Sequence, residues 1–209
     1  MTNNTFGWPT IFRLGLVQAS LGAIVVLTTS TLNRVMVVEL SLPALLPGLL
    51  VGIHYALQIL RPRLGYGSDV LGRRTPWIVG GMALLSAGGA LAALATALMG
   101  TSLLLGVTVA VAAFTLIGVG VGCAGTTLLV LLAKRVDPVR RAGAATVVWL
   151  MMIFGFIITT AVAGNLLDPY SPSRLVAGVW GNCLVAFCFW ESSRAHSDRN
   201  SAARTRPNP

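Results

Sequence analysis

Acidic side chains are scarce in this sequence: six of its 209 residues are Asp or Glu, and only Asp69 and Asp137 fall in the loops expected on the basic side. That scarcity leaves no aspartate-rich motif of the kind that membrane prenyltransferases use to hold a magnesium diphosphate. A G-x-x-x-x-G-K-[ST] phosphate loop is missing, and so is a nucleophile with a base beside it, so the residues offer no catalytic site. The three cysteines, Cys123, Cys183 and Cys188, are odd in number, sit in apolar segments and lack metal-ligand spacing, which reads as buried, inert thiols. The stretch from Met1 to Arg13 has no lysine-rich start and no small-residue cleavage site. The first apolar segment is therefore expected to be retained as a membrane span.

What the chain has in abundance is apolar surface. Hydrophobic residues make up 55% of it, charged ones 10%, and the mean hydropathy is +0.80. This suits a chain whose solvent is mostly lipid. A pI near 11 would suggest nucleic acid, but the basic residues are confined to loops and a tail with no basic face interleaved with aromatics, so no nucleic-acid partner is expected. A spanning helix needs about 20 mostly apolar residues. Six stretches qualify: Leu14 to Leu32, Leu42 to Leu60, Trp77 to Met99, Leu103 to Ala133, Thr146 to Leu166 and Leu175 to Trp190. These predict an all-α polytopic membrane protein, divided into a cytoplasmic N-terminus (1–13), a six-helix membrane domain (14–190) and a disordered tail (191–209). Three helix starts are marked by a capping side chain ahead of a proline: Thr75 with Pro76, Asp137 with Pro138, and Ser171 with Pro172.

Orientation follows from the basic residues. With the N-terminus cytoplasmic, 13 of the 15 lie on that side, and only Arg34 and Arg174 fall outside. Both termini are then cytoplasmic. Within the spans, Gly118, Gly122 and Gly125 share one face of the fourth, while Gly81 and Gly88, continued by Ala92, share one face of the third. Both faces are expected to be helix-packing surfaces. Pro43 and Pro47 are expected to bend or break the second span near its outer end.

Polar groups at membrane depth carry more information. His54 and Gln58 stand four apart in the second span beside Tyr55, and Gln18 lies in the first. An imidazole there can coordinate the magnesium of a chlorophyll-type macrocycle, relay protons, or hydrogen-bond a neighbouring helix. Between the second and third spans runs Gly65-Tyr66-Gly67-Ser68-Asp69-Val70-Leu71-Gly72-Arg73-Arg74. Gly65 and Gly72 permit a tight reversal, Asp69 can accept from free N–H groups at a helix start, and Arg73 and Arg74 hold the turn on the cytoplasmic side.

This G-x-x-x-D-x-x-G-R-R turn resembles the loop between helices two and three of the major facilitator superfamily. A narrower resemblance is carried by Thr31-Leu32-Asn33-Arg34-Val35-Met36, by Gln58-Ile59-Leu60-Arg61-Pro62-Arg63, by Gly72-Arg73-Arg74-Thr75-Pro76-Trp77-Ile78 and by Leu131-Leu132-Ala133-Lys134-Arg135-Val136. Together these are similar to the PucC/LhaA family of phototrophic bacteria, one member of which bears a bacteriochlorophyll synthase name; the likeness covers roughly residues 10 to 179. The resemblance implies a twelve-helix major-facilitator-like fold in the bacterial inner (intracytoplasmic) membrane, of which this chain would be the N-terminal half. It also implies a role in assembling light-harvesting complexes, with bacteriochlorophyll as cargo and with light-harvesting polypeptides, another membrane subunit or a second copy as partners. Two departures stand out. The apolar pattern decays near Trp180 into an arginine- and serine-rich tail, which reads as a truncation or frameshift product. Phe114, Thr115 and Leu116 stand where the superfamily's fourth span carries an arginine, which tells against the alternative of a proton-coupled secondary transporter of a small solute.

Overall fold

The computed structural model describes residues 6–70, 74–166, 171, 173–174 and 176–181, with the backbone alone for 68–70. Helix α1 (Trp8–Glu39) is a single 32-residue rod, and α2 (Leu45–Ala56) continues through a 3₁₀ turn (Leu57–Leu60) into α3 (Arg61–Val70). Then come α4 (Thr75–Met99), α5 (Leu103–Arg135) and α6 (Pro138–Leu166). Four of these, α1, α4, α5 and α6, are long and apolar enough to cross a membrane. The chain is a helical membrane protein. At 1.5 Å per residue the 33 residues of α5 reach about 50 Å, well beyond the ~30 Å hydrocarbon core, so α5 tilts or protrudes.

Small residues decide how the rods meet. Hydrocarbon gives helices no hydrophobic reason to associate, so close backbone approach and dispersion must supply the attraction. The α4–α5 pair is antiparallel and the tightest in the bundle. A Cβ built on Gly81 would lie 2.5 Å from the Ala124 nitrogen, and one on Gly120 would lie 2.7 Å from the Leu85 nitrogen. Gly88 likewise sits against Ile117 and Ala113. The parallel pair α1–α6 uses the same device: Gly15 accommodates Met151, Gly22 accommodates Met152 and Phe156, and Gly155 lies under the Ala19 carbonyl. The rod made of α2 and α3 lies along α5, with Leu57 over Gly118 and Leu64 over Gly122. The packing role expected for both glycine faces is observed, and each does something further. Gly118 and Gly122 receive the second rod, whereas Gly120, not singled out in the sequence, receives α4; Gly125 meets only an ordinary contact at Leu21 of α1.

Several expectations are corrected. The first span begins at Trp8 rather than Leu14 and stays helical to Glu39, so Asn33, Arg34 and Glu39 lie on the rod and not in a loop. Its outer part is π-helical at Leu27–Thr31 and Val35–Glu39. The cause of the first lies in the Thr28-Thr29-Ser30-Thr31 run. The Thr28 hydroxyl donates to the Ile24 and Val25 carbonyls at 3.0 Å and the Thr29 hydroxyl to Val25 at 2.8 Å, competing for the carbonyls that the α ladder would use. The second span is not a single α-helix from Leu42. Pro43 precedes α2 and Pro47 falls in its first turn, where a missing N–H costs nothing, so the prolines set the start of the helix rather than bend it. The twelve residues of α2 reach only about 18 Å, too short to cross alone, and among the described residues four helices, of the six spans expected, are long and apolar enough to cross. Of the sixth, only 176–181 are described, as helix; the tail at 191–209 lies outside the described residues. Asp137 caps as expected, accepting from the Val139 N–H at 3.0 Å. Thr75 does not, because α4 starts at Thr75 itself with Arg74 at its cap.

The basic residues gather at one end. The Phe6 N–H donates to the Arg135 carbonyl at 2.9 Å, and a Cβ on Gly143 would lie 3.7 Å from the Trp8 ring, so the starts of α1 and α6 meet the end of α5. Lys134, Arg135, Arg140 and Arg141 share that end and Arg74 reaches Val130 near it, while Arg34 is on the far part of α1.

Candidate functional site

The polar residues at depth are held by α2 and by the 3₁₀ turn below it. His54 points into the protein and is only 2% exposed, its ring edge-on to Tyr55 with centroids 4.9 Å apart. Its Nδ1 is buried with no hydrogen-bond partner among the described residues. Gln58, expected to share its face, instead serves the backbone: its Nε2 donates to the His54 carbonyl at 3.2 Å, and its Oε1 accepts from Arg61 Nε. The 3₁₀ turn explains the difference, because three residues per turn rotates position 58 away from position 54. Gln18 of α1 is 5% exposed, with Nε2 donating to Met152 Sδ at 3.4 Å and Oε1 left unpaired.

Three further buried oxygens lack partners among the described residues: Ser86 Oγ of α4, and Thr126 Oγ1 and Thr127 Oγ1 of α5. None was singled out in the sequence, though an adjacent threonine pair inside an apolar span was a signal to notice. A buried polar atom left unpaired costs about 1–3 kcal/mol. Five such atoms lie on four helices. No group of three or more His, Cys, Asp or Glu comes together as a metal site among the described residues.

The turn residues are placed differently from expectation. Gly65 and Asp69 belong to α3, which stays helical to Val70, so Gly65 is no turn glycine. It is a contact: a Cβ there would lie 3.3 Å from Thr126 Cγ2, and one at Gly67 would lie 3.1 Å from the Trp77 ring. Arg74 caps α4 and donates from Nη1 to the Val130 carbonyl at 3.5 Å. The two sides of the motif thus land one turn apart on the end of α5. Gly72 and Arg73 lie outside the described residues, as does the Asp69 side chain. His54 sits beside Gly118, eight residues up α5 from Thr126, so about 12 Å separates it from the motif, and the structure does not bring the two candidate sites together.

A family model described as PUCC protein matches residues 31–209. The chain belongs to the PUCC protein family. Among its relatives, the "Bacteriochlorophyll synthase 44.5 kDa chain" of Rhodobacter capsulatus is 57% identical over 176 residues, covering 82% of this chain and 40% of that protein. "Protein PucC" of Rhodobacter capsulatus is 31% identical, covering 95% of this chain and 47% of that protein. "Protein PucC" of Cereibacter sphaeroides is 33% identical, covering 85% and 41% respectively. This PUCC-family chain therefore spans less than half the length of each. No solved structure matches it. The match takes in His54, the α3–α4 motif and the whole of α4 to α6, so both candidate sites lie in the part of the chain that defines the family.

Proposed function

We propose that the chain is a membrane assembly factor of photosynthetic light-harvesting complexes that handles or delivers bacteriochlorophyll and does not synthesise it. The observation that carries this reading is the family match over residues 31–209, joined by one relative with a bacteriochlorophyll name and others named Protein PucC. The synthase name of one relative favours an enzyme, but the sequence supplies neither a diphosphate-binding carboxylate cluster nor an activated nucleophile. In this reading the chain is a major-facilitator-like half with six spans, α2 and the 3₁₀ turn after it forming the second and the segment around 176–181 belonging to the sixth. It sits in the bacterial inner (intracytoplasmic) membrane with both ends cytoplasmic, against light-harvesting polypeptides, another membrane subunit or a second copy.

His54 is the residue proposed to meet the pigment. Its neutral imidazole can ligate magnesium, and a buried nitrogen without a protein partner is a ligand in waiting. Because the ring is covered by protein, pigment reaches it only when the α2 rod lifts from its glycine seats on α5. Gly65, Asp69, Gly72, Arg73 and Arg74 are proposed to control that movement from the cytoplasmic end. The test is an absorption spectrum of protein purified from a phototrophic host. Bacteriochlorophyll bands that co-purify at a fixed ratio to protein support the reading; their absence, with solute-driven uptake into liposomes, would replace it with a secondary transporter.

A further inference from the structure

We propose that the α5–α6 connection, with the start of α1 beside it, is a binding site for the headgroup of an anionic phospholipid. Four cations fall within eight residues here: Lys134, Arg135, Arg140 and Arg141. The one carboxylate among them, Asp137, is turned to its own backbone, accepting from Val139 N–H at 3.0 Å. Arg141 is held on the connection by its Nε, which donates to the Val136 carbonyl at 3.1 Å. That bond uses one of the guanidinium's five donors and fixes the direction of the fork, the geometry that suits a phosphate.

The surroundings distinguish a lipid from other anions. Phe6 N–H on the Arg135 carbonyl draws the start of α1 against the connection, and Trp8 and Phe12 are 42% and 50% exposed beside it. Aromatic rings at the level of a cation ring are what the boundary between headgroup and acyl chain favours. An acidic peptide or free phosphate would use the cations but leave those rings in water. Membrane orientation alone needs basic residues somewhere on this side; it does not need four of them on one short connection that carries a single acid.

The experiment uses the full chain in detergent, where orientation in the membrane plays no part. Short-chain phosphatidylglycerol is titrated against phosphatidylcholine of the same chain length, and bound lipid is read by native mass spectrometry. Phosphatidylglycerol is expected to bind preferentially. Arg140→Gln combined with Arg141→Gln should weaken it about 25-fold, at roughly fivefold per cation, while Arg34→Gln on the far end leaves it unchanged. Should the double variant lose its helical signal, Arg135→Gln alone is expected to give the fivefold loss. Equal binding of the two lipids, an unchanged affinity in these variants, or full displacement by inorganic phosphate or polyglutamate would overturn the proposal.

Discussion

Neighbouring residues on one helix show how sharply packing depends on position. Gly80 and Gly81 have the same helix propensity, and alanine at either should gain about 0.5–1 kcal/mol from lost backbone freedom. A Cβ at Gly80 meets nothing within 4 Å, whereas one at Gly81 would lie 2.5 Å from the Ala124 nitrogen, and backbone cannot step aside as a flexible side chain can. Gly80→Ala is therefore expected to hold or raise the melting temperature in detergent, and Gly81→Ala to lower it by an overpacking cost of about 1–3 kcal/mol; equal shifts would show that the two helices are not seated this closely. His54 gives the second prediction at this scale. Its Nδ1 has no partner to lose, so His54→Leu should keep its thermal stability while bound bacteriochlorophyll falls or its absorption moves. Unchanged pigment in a folded variant would remove the role.

Among the elements, the α2–α3 rod is the one proposed to move. It rests on α5 through the Gly118 and Gly122 seats, carries a 3₁₀ turn at Leu57–Leu60, and leaves Leu45, Leu49, Tyr55 and Ile59 exposed. Its lower end joins the motif whose Gly65 and Arg74 both contact the end of α5, at Thr126 and Val130. If the motif sets the rod's position, Asp69→Ala or Arg73→Ala should impair antenna assembly in a complementation assay more than Arg61→Ala, whose Nε donates to the neighbouring Gln58 side chain. Equal activity in all three would reduce the motif to an anchor.

For the molecule as a whole, the gathering of basic side chains at the end where α1 and α6 start and α5 finishes predicts an orientation. A reporter fused after Arg141 should be cytoplasmic and one after Leu166 external, and the reverse would sink the topology. Association is the other prediction at this scale. His54, being covered by protein, supplies no drive for it. That drive is expected from α2, where Gly48 and Gly52 stand one turn apart and a Cβ built on either would meet nothing within 4 Å. Such a face lets a second helix approach closely. Crosslinking in membranes is expected to trap a parallel two-fold pair, or a complex with another subunit, that Gly52→Leu abolishes; a long-lived monomer with ordinary stability would refute it.

Composition and periodicity alone determined that the chain is helical and lives in lipid, that its charge lies at one end, and that its glycine stripes are packing faces. Those properties depend on transfer from water and on 3.6-residue spacing, both of which are local. The resemblance in the Asn33–Arg34 and Gly72–Arg73–Arg74 stretches placed it in its family for the same reason, since short runs carry that signal. What each glycine touches was decided only in three dimensions. Gly118 and Gly120 are two residues apart on one helix, yet one seats α2 and the other α4, because which neighbour lies on each side depends on the whole bundle. Gly65 lies in a helix rather than in the turn, facing Thr126 of α5, and Gln58 parted from His54 because a 3₁₀ turn changed the period between them. The same limit hid Ser86, Thr126 and Thr127: a hydroxyl is ordinary in a sequence, and it becomes informative only where folding removes both water and partners from it.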